Sequence, residues 1–179
     1  FLGSIADETF FSRPKDQVLR EYAEMTLDYL GPNDIGTDHI AALHELGYIP
    51  LIFRARLEGS LCKLRVPMLT IENTIDEFFW LTNWVETLLS AELWMPCTTA
   101  TLAYRFRKML DYWCEKQGGP KEFTQWQGHD FSMRGMAGVY AAAASGMAHL
   151  TSFTGTDTIP AIGWLKRYYD AADCVIGGS

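Results

Sequence analysis

The chain has 179 residues, a net charge of −7 and a pI near 5.0, and 48% of its residues are hydrophobic. Nucleic acids and anionic membranes repel an acidic protein, so both are excluded as general partners. No apolar run reaches the roughly 18 residues that a membrane span requires, and no signal-peptide pattern opens the sequence, so we predict a cytoplasmic protein. Its four cysteines lack metal-ligand spacing, which predicts buried free thiols and no metal site.

The first section of the chain, residues 1–47, is predicted to be helical. Apolar residues recur at helical spacing from Arg13 to Leu30, with Ser12 in position to cap the helix and Gly31 to end it. A shorter helix is predicted from Thr37 to Leu46, ending at Gly47. These signals define the N-terminal helical section.

Two further sections follow before residue 120. Residues 48–73 are predicted to be a small β-rich section, with strands at 48–57 and 66–72. Residues 74–119 are predicted to be a helical pair, Glu77 to Met95 and Thr98 to Gln117. The pair is separated at Pro96, because proline lacks the N–H group that an α-helix needs at each interior position.

The last section, residues 120–179, alternates between strand and helix signals. Phe123 to Trp126 is aromatic and β-prone, an alanine run between Met136 and His149 predicts a helix, and another helix is predicted from Ile159 to Tyr169. Phe131 and Asp157 are 157 − 131 = 26 residues apart. This separation is close to the length of a βαβ unit, so we predict two parallel neighbouring strands.

Three side chains are predicted to meet where those strands end, since parallel strands share the rim at which ligands bind. Phe131 could fill the core or stack on a planar ligand. Arg134 could hold phosphate together with backbone N–H groups, or form a surface salt bridge. Asp157, judged by spacing alone, is more typical of a helix N-cap than of a catalytic carboxylate.

His129 and Asp130 have the residue types of a catalytic pair. Neighbouring side chains on a strand point to opposite faces, however, which argues against direct cooperation between them. We therefore interpret both as residues that support the site or the fold.

The segments from His129 to Gly135 and from Phe153 to Thr158, joined by a helix of small residues, resemble the nicotinamide phosphoribosyltransferase family. Glu72 to Thr74 and Trp80 to Thr87 support the resemblance, which extends from about Leu51 to the end of the chain. The fold it implies is α/β: the first βα units of a phosphoribosyltransferase-type irregular barrel, incomplete in this chain, preceded by a small β-containing and helical section.

The resemblance implies a pentosyltransferase of NAD salvage. Such an enzyme transfers phosphoribosyl from phosphoribosyl pyrophosphate to nicotinamide and works as a cytoplasmic homodimer, with Mg²⁺ accompanying the donor and ATP as a stimulating co-substrate. By resemblance, Phe131 stacks on the pyridine ring, Arg134 contacts phosphate and Asp157 accepts a hydrogen bond from the carboxamide. Met133 departs from the family pattern, in which tyrosine is usual at this position and makes a packing or phosphate contact.

The resemblance also implies that these residues are an internal part of a longer enzyme. The histidine that ATP phosphorylates is expected beyond Ser179, so no catalytic residue is expected in the chain and the chain alone is expected to be inactive. Two alternatives remain open. One is a nicotinate phosphoribosyltransferase, which Asp157 disfavours because the nicotinate carboxylate would meet like charge. The other is a non-catalytic binding module that keeps the fold.

Overall fold

The computed structural model describes residues 6–171, which form two compact units. The first unit contains residues 6–56 and 62–84, and the second contains residues 57–61 and 85–171. Helices dominate both units, and each contains one two-stranded sheet. The predicted mixed α/β class is therefore confirmed. Among residues 6–171 there is no helix with the length and apolarity that a membrane span requires.

The first unit begins with a short π-helix, Asp7–Phe11, followed by helices α1 (Lys15–Leu30) and α2 (Asp38–Leu46). Both predicted α-helices are confirmed. The predicted cap at Ser12 is wrong, because its hydroxyl donates to a carbonyl of the preceding turn and α1 starts three residues later. Gly47 ends α2 with a φ of 77°, a left-handed conformation that glycine adopts without a steric penalty.

The sheet of the first unit pairs β1 (Leu51–Ala55) with β2 (Leu69–Asn73) in antiparallel register. Both predicted strands exist, although each is shorter than the sequence suggested. The buried core of this unit comes mainly from the helices and from the turn that follows β2, and its most buried hydrophobic residues include Ile40, Leu43 and Phe78.

Helix α3 runs without interruption from Leu81 to Lys116, with Pro96 inside it. The predicted break at Pro96 is wrong. An interior proline costs about 3 kcal/mol, and here the cooperative turns on both sides outweigh that cost. Two residues after the proline, the Thr98 hydroxyl donates to the Trp94 carbonyl at 2.8 Å, which adds a hydrogen bond to this turn of the helix.

The segment Phe123 to Trp126, expected to be a strand, is part of a 3₁₀-helix, Lys121–Trp126. The strand prediction is wrong because local hydrogen bonds prevail over the β propensity of the aromatic residues. The buried Thr124 hydroxyl lies within hydrogen-bonding distance of the Asp111 carboxylate and of the Lys121 carbonyl, which holds this turn against α3.

The second unit contains the parallel pair predicted from the spacing of its two loops. Strands β3 (His129–Asp130) and β4 (Gly155–Thr156) are two residues long each, and His129 lies opposite Gly155 in the register. Between them lie a 3₁₀-helix, Ser132–Gly135, and helix α4, Val139–His149. Helix α5, Ile159–Tyr169, follows β4 and has the predicted bounds.

Small side chains allow α4 and α5 to pack closely. Ala142 and Ala143 of α4 and Ala161 of α5 are fully buried. Gly146 of α4 lies so near Ala161 that an added Cβ would be only 2.7 Å from the Ala161 Cβ. The alanines of this segment therefore favour a helix, and Gly146 allows a close contact between the two helices.

The prediction of buried thiols is wrong for the three cysteines within residues 6–171. Cys62 is exposed, and Cys97 and Cys114 are partly exposed. Cys174 lies outside the described residues. None of the three described cysteines forms a disulfide.

Candidate functional site

The candidate site lies at the C-terminal ends of β3 and β4, where His129 links two of the predicted site residues. The His129 Nε2 atom is 2.8 Å from the Asp157 Oδ1 atom. The imidazole ring also packs on Phe131, with ring centroids 4.4 Å apart and planes inclined by 39°. Phe131 and Asp157 thus converge through contacts to the same imidazole.

Gly155 provides the space for that imidazole. It is the register partner of His129, and a Cβ at position 155 would lie 2.5 Å from the His129 Nδ1 atom. Any other residue here would displace the histidine ring. The importance of Gly155 could have been inferred from the sequence only if the register of the two strands had been known.

Asp130 has contacts of a different kind from those of its neighbour His129. The residue is 6% exposed, and its carboxylate accepts hydrogen bonds from the Ser132 backbone N–H at 2.9 Å and from the Thr156 hydroxyl at 3.0 Å. Its backbone carbonyl accepts from the Asp157 N–H at 2.9 Å. Asp130 therefore fixes the backbone of both loops that carry the site.

The pKa of the Asp130 carboxyl is lowered overall. Burial acts against the charged form and raises the pKa, but polar groups around the carboxylate lower it by more, and these belong to Ser132, Thr158 and Thr156. The hydroxyls of Ser132 and Thr158 lie near the carboxylate without forming a well-aligned hydrogen bond, whereas the Thr156 hydroxyl forms one. Asp130 is accordingly a structural anion at neutral pH.

Asp157 does not cap the helix that follows it. Helix α5 begins at Ile159, and the Thr158 N–H is bound by the Thr156 hydroxyl at 2.9 Å. The N-cap prediction for Asp157 is therefore wrong. Its side chain is 43% exposed and is bound to His129, so the carboxylate remains accessible to a ligand.

Phe131 and Arg134 are both exposed on the loop that follows β3. Phe131 is 56% exposed, which is incompatible with the alternative role of core filling. Arg134 lies in the 3₁₀-helix Ser132–Gly135. No carboxylate among residues 6–171 forms an ion pair with it, so the surface salt bridge that the sequence left open is not formed within these residues. Met133 is also partly exposed.

An open groove of about 470 Å³ is lined in part by Gly128 and His129, so it shares His129 with the candidate site. His149 and Phe153 form one wall, with rings stacked 5.1 Å apart, and apolar residues of α3, among them Leu102 and Phe106, form the other. Burial lowers the pKa of His149. The lowered pKa favours the neutral imidazole at pH 7. His149 is therefore better suited to packing against Phe153 than to binding an anion as a cation.

Metal ligands are not clustered in the described structure. Among residues 6–171, no group of three or more histidine, cysteine, aspartate or glutamate side chains could hold an ion. The candidate site therefore has an aromatic ring, Phe131, and a carboxylate, Asp157, both in contact with His129, and Arg134 lies three residues after Phe131 on the same loop.

Comparison with known proteins finds relatives of similar sequence. No family model matches the chain. Curated relatives do match it, and they are named nicotinamide phosphoribosyltransferase. The relative from Acinetobacter baylyi is 49% identical over 179 residues, which are 100% of this chain and 35% of that protein.

Two further relatives carry the same name. The protein from Mycoplasma genitalium is 35% identical over 125 residues, or 68% of this chain and 28% of the relative. The protein from Xanthomonas campestris is 33% identical over 124 residues, or 69% of this chain and 26% of the relative. The chain is thus homologous to nicotinamide phosphoribosyltransferases, which confirms the resemblance, and it spans about a third or less of their length.

Proposed function

We propose that the protein containing this chain transfers phosphoribosyl from phosphoribosyl pyrophosphate to nicotinamide, giving nicotinamide mononucleotide and pyrophosphate. The observation that carries the proposal is the Asp157 carboxylate, held at 2.8 Å by His129 next to the exposed Phe131 ring. The proposal is supported by 49% identity over the whole chain to a protein named nicotinamide phosphoribosyltransferase.

Phe131 and Asp157 would recognise the two parts of nicotinamide. An exposed phenylalanine ring offers a face for stacking on the pyridine ring, an interaction of about 0.5–1.5 kcal/mol beyond the buried area. The Asp157 carboxylate would accept a hydrogen bond from the carboxamide N–H, which for a charged acceptor contributes about 1.5–3 kcal/mol. Nicotinate has a carboxylate in place of the amide, so it would lose that bond and meet like charge.

Arg134 would contact phosphate. Its guanidinium has no ion-pair partner among residues 6–171, and it lies in the loop that also carries Phe131. A planar guanidinium can bind two phosphate oxygens at once. Arg134 would therefore hold the phosphoribosyl donor or the mononucleotide product next to the ring site.

In the proposed reaction the bond from the anomeric carbon to pyrophosphate breaks, and both bonding electrons leave with pyrophosphate. The pyridine nitrogen then donates its lone pair to the electron-deficient carbon. Mg²⁺ bound to the donor would neutralise charge on the leaving group. The residues of this chain would contribute by orienting nicotinamide and phosphate, which lowers the entropic part of the barrier.

The proposal extends to the whole protein. Strands β3 and β4 would be the first strands of a phosphoribosyltransferase-type α/β barrel, and the protein would be a cytoplasmic homodimer. ATP would be a stimulating co-substrate through a histidine outside these 179 residues. These points rest on the family resemblance of the sequence, and this chain spans 35% and 28% of the two relatives from Acinetobacter baylyi and Mycoplasma genitalium.

The test uses the full-length protein with phosphoribosyl pyrophosphate, Mg²⁺ and ATP, and compares nicotinamide with nicotinate as the acceptor. We expect mononucleotide from nicotinamide, and a shift of the kcat/KM ratio toward nicotinate in Asp157→Asn. Product from nicotinate alone would instead identify a nicotinate phosphoribosyltransferase. Ligand binding without turnover would identify a binding module.

A further inference from the structure

His129 lies between the two side chains that would recognise nicotinamide. It is hydrogen-bonded to Asp157 through Nε2 and packs on the Phe131 ring at 4.4 Å. Both of these partners are exposed, Phe131 by 56% and the Asp157 side chain by 43%, so burial in the core fixes neither of them. The histidine itself is less exposed, with 19% of its side chain accessible.

We infer that His129 is a positioning residue, which fixes the Asp157 carboxylate and the Phe131 ring relative to each other, and this inference rests on the proposed function. The Asp157 carboxylate is an acceptor, so the His129 Nε2 atom must carry a hydrogen in this contact. Asp157 Oδ1 is then occupied by the histidine. Oδ2 is left to accept the carboxamide N–H.

The residue opposite His129 in the neighbouring strand leaves space for the imidazole ring. Gly155 pairs with His129 in the parallel register, and an added Cβ would come within 2.5 Å of the Nδ1 atom. The imidazole is therefore packed against β4 on one edge and bound to Asp157 on the other. A ring confined in this way can restrict the rotamers of an exposed aspartate before the ligand arrives, so less conformational entropy is lost on binding.

The test compares His129→Phe with His129→Gln in the full-length protein. His129→Phe keeps an aromatic ring next to Phe131 but removes the donor, whereas His129→Gln retains an N–H donor on a side chain of similar reach. We expect His129→Phe to raise the KM for nicotinamide by about tenfold while the KM for phosphoribosyl pyrophosphate stays within about twofold. His129→Gln should restore most of the nicotinamide affinity.

A control for the histidine-to-glutamine change is His44→Gln. His44 hydrogen-bonds with the Arg13 carbonyl at 2.9 Å and packs on Phe10 and Phe11 in the first unit, so it makes different contacts from those of His129. We expect its kinetic constants to match those of the wild-type protein.

A double-mutant cycle tests whether His129 acts through Asp157. In an Asp157→Asn background, His129→Phe should cause little further rise in the KM for nicotinamide. A full tenfold rise in that background, or equal rises in the KM of both substrates, would overturn the inference while the wild-type protein remains active. A wild-type protein that makes no mononucleotide would overturn the proposed function, and the inference with it.

Discussion

Replacing Gly146 by alanine is expected to lower the free energy of unfolding by about 1–2 kcal/mol, although alanine is the better helix former. Alanine gains about 1 kcal/mol over glycine in a helix interior. A Cβ at this position, however, would lie 2.7 Å from the Ala161 Cβ, 3.1 Å from the Thr158 Cγ2 and 3.2 Å from the Asp130 Oδ2.

These neighbours cannot yield easily, because Ala161 and Thr158 are 0% exposed and Asp130 is held by hydrogen bonds. Overpacking in a well-packed core costs about 1–3 kcal/mol. The shortest contact is to the Ala161 Cβ, which is held rigidly by the backbone of α5. The upper half of that range therefore applies, about 2–3 kcal/mol. Subtracting the gain in helix propensity leaves the net loss given above.

The measurement is equilibrium denaturation of the full-length protein, with Gly163→Ala as the matched control. Gly163 lies inside α5, and no atom would come within 4 Å of an added Cβ. The same substitution there should therefore stabilise the protein by up to about 1 kcal/mol. Equal stabilisation by both substitutions would refute the close packing of α4 on α5.

Three further predictions concern the site and its support. Phe131→Ala should raise the KM for nicotinamide much more than the KM for phosphoribosyl pyrophosphate, since stacking contributes about 0.5–1.5 kcal/mol to ring binding. The measurement is steady-state kinetics with both substrates. Equal rises in the two KM values would mean that Phe131 only supports the loop. Arg134→Ala should act in the opposite sense, raising the KM for the donor at unchanged nicotinamide affinity, and a pattern like that of Phe131→Ala would exclude the phosphate role. Asp130→Asn should reduce the acid sensitivity of folding: the folded-state pKa lies below the ordinary 3.8, so the stability that the carboxylate contributes is complete above that value and is lost as the pH falls through the folded pKa. Denaturation measured across the acid range would contradict this last prediction if wild type and variant lost stability in parallel.

Local signals in the sequence were sufficient for the helices α1, α2 and α5. Each has apolar residues at helical spacing, and Gly47 stops α2 because its left-handed φ costs a glycine little. The predicted break at Pro96 and the predicted strand from Phe123 to Trp126 were wrong. The helical turns on both sides of the proline continue through it. The hydrogen bonds of Thr124 to the Lys121 carbonyl and to the Asp111 carboxylate hold the second segment in a 3₁₀-helix, and the contact with Asp111 could not be read from the segment itself.

The spacing of the two loops also predicted that Phe131 and Asp157 would lie at the ends of parallel neighbouring strands. A βαβ unit of that length leaves few other arrangements, and the structure has this pairing. The sequence also carried the resemblance to nicotinamide phosphoribosyltransferases, which the homologous proteins confirm.

Only the tertiary structure decided which side chains touch in the site. The spacing of Asp157 is typical of a helix cap, and nothing local distinguishes that role from a bond to His129. The register of β3 and β4 decides between the two roles, because it places His129 opposite Gly155. Gly155 has no side chain, which leaves room for the imidazole. The His129 Nε2 atom then lies 2.8 Å from the Asp157 Oδ1 atom. Register depends on packing across the whole βαβ unit, so no short stretch of sequence could have specified this contact.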